Sequence, residues 1–194
     1  MIGDKLPNAI FLDTEWADDA GRELVSLALV SGGPYGLFNG EAFGPFYAER
    51  DPLPAPNAFV SSAVYPRLQR AERALPDELF SDGLASYIEG CRNLYTEEPP
   101  IIIATHANDF ELMRAMLAVT AKIPPYREEL RYSESLLDLI RIAFASDPEL
   151  LKWRHHALVD ARVLQRVFRG WFNIGKTPIA KNQARSRRRR GINQ

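Results

Sequence analysis

Three short stretches hold the residues whose types and spacing can do chemistry. Asp13-Thr14-Glu15 follows the apolar run Ala9–Leu12. In a strand, residues i and i+2 share a face, so two carboxylates lie side by side at the strand's end. Like charges that close repel and raise each other's pKa unless something neutralises them. A divalent cation with oxygen ligands does so, although the same tripeptide also fits a solvated turn. The second stretch, Thr105-His106-Ala107-Asn108-Asp109, lies between the β-branched run Ile101–Ala104 and a helical pattern. Asp109 there fits a helix cap or a ligand site at a strand end. The third is His155-His156-Ala157-Leu158-Val159-Asp160. Asp160 borders an apolar helix face made by Ala157, Ala161, Leu164, Phe168 and Trp171, a costly place for an unpaired charge. The two histidines also fit the ordinary start of a helix. All three histidines of the chain lie within these stretches.

The elements that must position these groups read as a mixed α/β domain. Ala9–Leu12 predicts a buried strand and Ala17–Arg22 a turn. Leu24–Val30 predicts a second strand, which makes an antiparallel hairpin with the first. Tyr35–Phe38 predicts a third strand. Asp51–Pro56, with three prolines, is a loop. Helices are predicted over Ala58–Ser62, Pro66–Arg73, Asp77–Cys91, Phe110–Ala121, Ser135–Ala145 and Ala157–Phe172. Ile101–Ala104 has the composition of a strand buried on both faces. An early hairpin followed by helices interleaved with such a strand implies a partly parallel sheet. No linker is expected before residue 175.

In order, Asp13, Glu15, Asp109 and Asp160, with a histidine five residues before the last, resemble the DEDD superfamily of 3′-5′ exonucleases in its histidine form, DEDDh. The D-x-E motif is Asp13-Thr14-Glu15, and H-x-A-x-x-D is His155 to Asp160 without a gap. Asp109 stands for the single middle aspartate. Residues 57–68 (NAFVSSAVYPRL) are also similar to the region after the hairpin in small exoribonucleases of this type. The resemblance spans residues 9 to 170 and implies an RNase H-like fold. It implies two Mg²⁺ or Mn²⁺ ions held by Asp13, Glu15, Asp109 and Asp160, suited to in-line displacement at a phosphodiester. It makes His155 the general base, the five-residue offset choosing it over His156. The expected activity is hydrolysis of single-stranded nucleic acid, RNA before DNA, from its 3′ end to nucleoside 5′-monophosphates. Trp16 would stack on the terminal base or fill core, Thr14 would lie against substrate, and His106 would be structural or contact a phosphate. The resemblance also favours a homodimer. Two other readings stand beside it: a non-catalytic nucleic-acid-binding module of the same fold, and a DNA-directed exonuclease.

Composition narrows the classes. The chain has 194 residues, 46% of them apolar, enough for one domain with a real core. A single cysteine, Cys91, excludes an internal disulfide and a cysteine zinc cluster. The first residues lack a secretory pattern, and no apolar run reaches the ~18 residues of a membrane span. A cytoplasmic, soluble protein is expected. The net charge of -1 hides a split. Residues 175–194 carry seven basic and no acidic side chains, leaving 17 basic against 25 acidic in residues 1–174. The domain is therefore acidic, and the tail, with Arg187, Arg188, Arg189 and Arg190 in a row, is expected to be disordered alone and to attract phosphates. Deleting residues 176–194 is expected to weaken binding to long single strands and flatten its salt dependence, while sparing hydrolysis of a short oligonucleotide. Equal salt slopes for the full and truncated chains would contradict this.

Overall fold

The computed structural model describes residues 9–32, 37–38, 41–42, 44–92 and 98–174. Its centre is a mixed six-stranded sheet with helices on both faces. The strands are β1 (Ala9–Trp16), β2 (Leu24–Ser31), β5 (Phe46–Arg50), β6 (Ala74–Leu75), β7 (Ile101–Ala104) and β8 (Arg127–Leu130), in the order β6-β5-β2-β1-β7-β8. A separate two-stranded ribbon pairs β3 (Leu37–Phe38) with β4 (Glu41–Ala42). β1 pairs with β2 antiparallel and with β7 parallel, so it is the hinge between the two halves of the sheet.

Period-2 alternation in β1 builds two cores, one on each face. Ile10 and Leu12 point to one face, where Leu27 and Leu29 of β2 meet α2 (Asp77–Gly90) and α3 (Ala107–Ala118). Phe11 points to the other, where Ala28 and Val30 meet Leu136 of α4 (Glu134–Ala145) and Ala157, Ala161, Leu164 and Phe168 of α6 (Ala157–Ile174). The rings of Phe11 and Phe168 meet edge-on at 5.4 Å. A large apolar side chain withdrawn from water in this way contributes about 1.5–3 kcal/mol. Ala157 and Ala161 are wholly buried, and their small size lets α6 lie close against β1 and β2.

Several expectations need correction. The first strand does not stop at Leu12: β1 continues through Trp16, so Asp13, Thr14 and Glu15 are strand residues paired with Ala28, Leu27 and Ser26. α3 begins at Ala107 rather than Phe110, which places Asp109 inside its first turn. Residues 66–73 form two 3-10 turns, Tyr65–Arg67 and Arg70–Glu72, rather than a helix. In the third predicted strand only Leu37 and Phe38 pair, and Tyr35 and Gly36 lie outside the described residues, as does the basic tail. β5 and β8 were not anticipated. Their sequences, FYAER and REEL, are too charged to read as buried strands. β8 is a sheet edge and tolerates this. In β5, the wholly buried Glu49 accepts hydrogen bonds from the Tyr47 hydroxyl (2.6 Å) and the Gln69 backbone N–H (2.5 Å). No helix among the described residues is long and apolar enough to cross a membrane.

The β1–β2 turn is anchored beside the site. Asp18 accepts from the backbone N–H of Arg22 (2.6 Å) and Glu23 (3.1 Å). Gly21 has φ +66°, and a Cβ there would fall 2.2 Å from the side-chain nitrogen of Asn108. Gly21→Ala is expected to cost about 1–2 kcal/mol from the left-handed backbone alone, with the Asn108 contact adding to it. A thermal melt checks this, and an unchanged midpoint would show that the turn does not pack on α3.

Candidate active site

The C-terminal end of β1 opens into a cleft of about 520 Å³ lined by all five chemistry-bearing residues, Asp13, Glu15, Asp109, His155 and Asp160. Strand geometry divides them. Asp13 and Glu15 share the face of Phe11, on which α6 packs, and α6 brings Asp160 from its first turn. Thr14 and Trp16 share the opposite face, where α3 brings Asp109. The Thr14 hydroxyl donates to Asp109 Oδ1 at 2.7 Å, and the His106 backbone N–H approaches Oδ2 at 3.3 Å. Asp109 is thus not the N-cap that the capping reading expected: His106 holds that position, and Asp109, third in the helix, accepts from the His106 N–H and lines the cleft.

The tightest group is Glu15, His155 and Asp160, whose potential ligand atoms lie within 4.8 Å of one another. Asp13 and Asp109 border the same cleft without belonging to that trio. Asp160 Oδ2 accepts from the His155 backbone N–H at 3.1 Å, whereas Asp160 Oδ1 is buried with no hydrogen-bond partner among the described residues. An orphaned carboxylate oxygen pointing among other carboxylates matches a cation site in its donor chemistry: hard oxygens, with one imidazole beside them.

The two adjacent histidines part company. His155 lines the cleft, half-buried, with its ring edge-on to Phe59 at 5.0 Å. His156 is 1% exposed and turns the other way, between Tyr47 and Trp153. The offset that favoured His155 therefore agrees with its position. Trp16 packs on the α2–α3 core and also lines the cleft, and the exposed His106 meets its edge at 6.3 Å. Phe110 is core.

The electrostatics follow from crowding. Burial, then the carboxylates of Asp160, Asp109 and Glu15, hold Asp13 well above the usual carboxylate range. Glu15 is raised by burial and by Asp160 and Asp109, with Arg67 opposing. Asp109 is pushed up to about 7 by burial, against the Thr14 and His106 hydrogen bonds. Asp160 is also pushed up to about 7 by burial, against the His155 backbone N–H and the charges of Arg154 and Arg67. The His155 imidazole is lowered by burial, Arg154 and Arg67, so it is neutral at pH 7 and able to accept a proton.

Arg67, Arg154 and Phe59 were not anticipated as site residues. Arg67 bears on Glu15 and Asp160 through its charge, and its Nε donates to the Lys152 carbonyl (2.7 Å), joining the turn after α1 (Ala58–Ala63) to the end of α5 (Pro148–Lys152). Arg154 lies over the Phe144 ring at 5.7 Å. Phe59 belongs to the 57–68 segment of the resemblance, the one signal that pointed at it. The chain matches no protein-family model, and comparison with curated proteins gives no match either.

A carboxyl group near 7 in the folded chain and 3.8 in its ordinary state binds more protons folded than unfolded between those values. Stability contributed by such a group falls as pH rises through that window and is lowest above it. Metal-free Asp160→Asn is therefore expected to gain thermal stability on the wild type as pH rises from about 4 to about 8. At the upper pH, Mn²⁺ should raise the wild-type melting point more than the variant's. A gap that narrows with pH would contradict the raising of Asp160 by burial.

Proposed function

We propose that this chain is a divalent-metal-dependent 3′-5′ exonuclease acting on single-stranded nucleic acid, RNA before DNA, and releasing nucleoside 5′-monophosphates. The observation that carries this reading is the trio Glu15, His155 and Asp160 within 4.8 Å, in a cleft that Asp13 and Asp109 also line. The DEDDh resemblance had selected the same five residues from spacing. An RNase H-like fold is part of the proposal. The mixed sheet supports it, with an antiparallel β1–β2 hairpin, a parallel β7 and carboxylates at the end of β1.

In this reading Asp13, Glu15, Asp109 and Asp160 hold two Mg²⁺ or Mn²⁺ ions, which when bound supply an activated water and stabilise the leaving oxygen. Thr14 and the His106 N–H orient the Asp109 carboxylate, and the His155 N–H orients that of Asp160. His155, neutral and beside Glu15 and Asp160, takes a proton from the attacking water at a ring nitrogen. The half-buried Trp16 and exposed Phe59 offer faces on which an unpaired terminal base can stack. Arg154, at the rim, offsets the negative charge that an incoming phosphate meets.

The test is hydrolysis of a 5′-labelled single-stranded RNA with Mn²⁺, with and without EDTA. Stepwise shortening from the 3′ end that stops with EDTA is expected. A 3′-terminal phosphorothioate should block it and a 5′ one should not. His155→Ala is expected to lower kcat by about 10²–10⁴-fold with Mn²⁺ affinity largely kept, whereas Asp13→Ala should lose both. Strand binding without turnover under every metal condition would instead identify a binding module.

A further inference from the structure

His156 has a buried imidazole that serves neither the cleft nor the solvent. Neither of its ring nitrogens has a hydrogen-bond partner among the described residues, so the ring acts as an aromatic slab. It stacks on Tyr47 with centroids 4.6 Å apart and planes 27° from parallel. On another side the Trp153 ring meets it edge-on at 5.7 Å. Tyr47 is itself held. It is 4% exposed, and its hydroxyl donates to the wholly buried Glu49 at 2.6 Å. Glu49 is fixed in turn by the Gln69 N–H. Tyr47 pairs with Ala28, which pairs with Asp13, so this prop rests on the same sheet face as the carboxylates.

One residue earlier, His155 has φ +66°. A residue with a Cβ keeps such a backbone only where its surroundings over-determine it, and such positions cluster at functional sites. The bond from His155 N–H to Asp160 and the edge of Phe59 hold His155 from the cleft side. Nothing in either contact fixes the chain on its far side. The Tyr47–His156 stack does, because His156 cannot rotate away without breaking it.

We propose that Tyr47 and His156 are positioning residues for His155: their stacked rings, anchored through Glu49, lock the left-handed backbone that aims the His155 imidazole at Glu15 and Asp160. This rests on the exonuclease reading in naming what His155 does, though not in the geometry. It assigns the second histidine of the pair a mechanical role, in which ring shape matters and ring nitrogens do not.

The experiment compares His156→Ala, His156→Phe and Tyr47→Leu with the wild type on a short single-stranded RNA with Mn²⁺. His156→Ala and Tyr47→Leu are expected to lower kcat by about 10²-fold, the cost of a small misplacement, with KM and Mn²⁺ affinity by calorimetry unchanged. His156→Phe, which keeps the slab, is expected to recover most of the rate. A wild-type rate in His156→Ala overturns the proposal, as does a His156→Phe as slow as His156→Ala. So does a loss of Mn²⁺ affinity that accompanies the loss of rate. If the wild type itself hydrolyses nothing, the exonuclease reading fails, and imidazole NMR decides the positioning. The chain has three histidines, so each signal is assignable. The His155 signal should move in His156→Ala and stay in His156→Phe, and a His155 signal unmoved in His156→Ala overturns the proposal.

Discussion

The burial of four carboxylates together at one end of the sheet is the constraint on which the rest of this structure turns. Asp13, Glu15, Asp109 and Asp160 are each held above the ordinary carboxylate range, with burial the first cause in every case. For Asp13 and Glu15 the neighbouring carboxylates add directly to it. No local segment would assemble such a group by itself. The cores on both faces of the sheet supply the free energy that holds it together. A cluster so arranged is a destabilising feature of the metal-free fold and a ready set of oxygen donors for a dication.

The central position of β1 makes the assembly possible. A strand with antiparallel and parallel neighbours has both faces covered and its C-terminal end clear. Its odd residues meet α6 and its even residues meet α3, so each helix brings a carboxylate to the same cleft from opposite sides of the sheet. Hydrogen bonds then set the orientation of each. Asp109 is held by Thr14 and His106 N–H, and Asp160 by His155 N–H. The turn containing Gly21 and the 57–68 segment close the rim. Asn57 donates from its side-chain nitrogen to Asp19 and from its backbone N–H to the Ala17 carbonyl, and its side-chain oxygen caps α1.

Much of this was legible in the chain because it rests on local regularity. The apolar step from Ala157 to Phe168 declared α6 and placed Asp160 beside its buried face. The β-branched run at 101–104 declared β7. D-x-E at 13–15 declared two carboxylates on one strand face. What was missed lacks such a pattern. β5 reads as a charged segment because its Glu49 is buried by packing that the local sequence does not announce, with Tyr47 and the Gln69 N–H both donating to one of its oxygens. β8 reads as polar because an edge strand need bury little. Arg67 has no local signature, since its bond to the Lys152 carbonyl joins segments 85 positions apart.

The sequence by itself determined which residues could do chemistry and which elements would carry them, because residue type and short-range periodicity are properties of the chain. It favoured His155 over His156 by an offset alone, and it left open whether Asp109 served its helix or the cleft. Those choices depend on which way a side chain faces once distant segments pack. Tertiary structure resolved them. The Tyr47 ring, two strands away from β1, claims His156 for the interior and leaves His155 to the cleft. The Thr14 hydroxyl draws Asp109 toward the end of β1 without releasing it from the first turn of α3. Both outcomes come from contacts between residues roughly a hundred positions apart, for which spacing along the chain gives no sign.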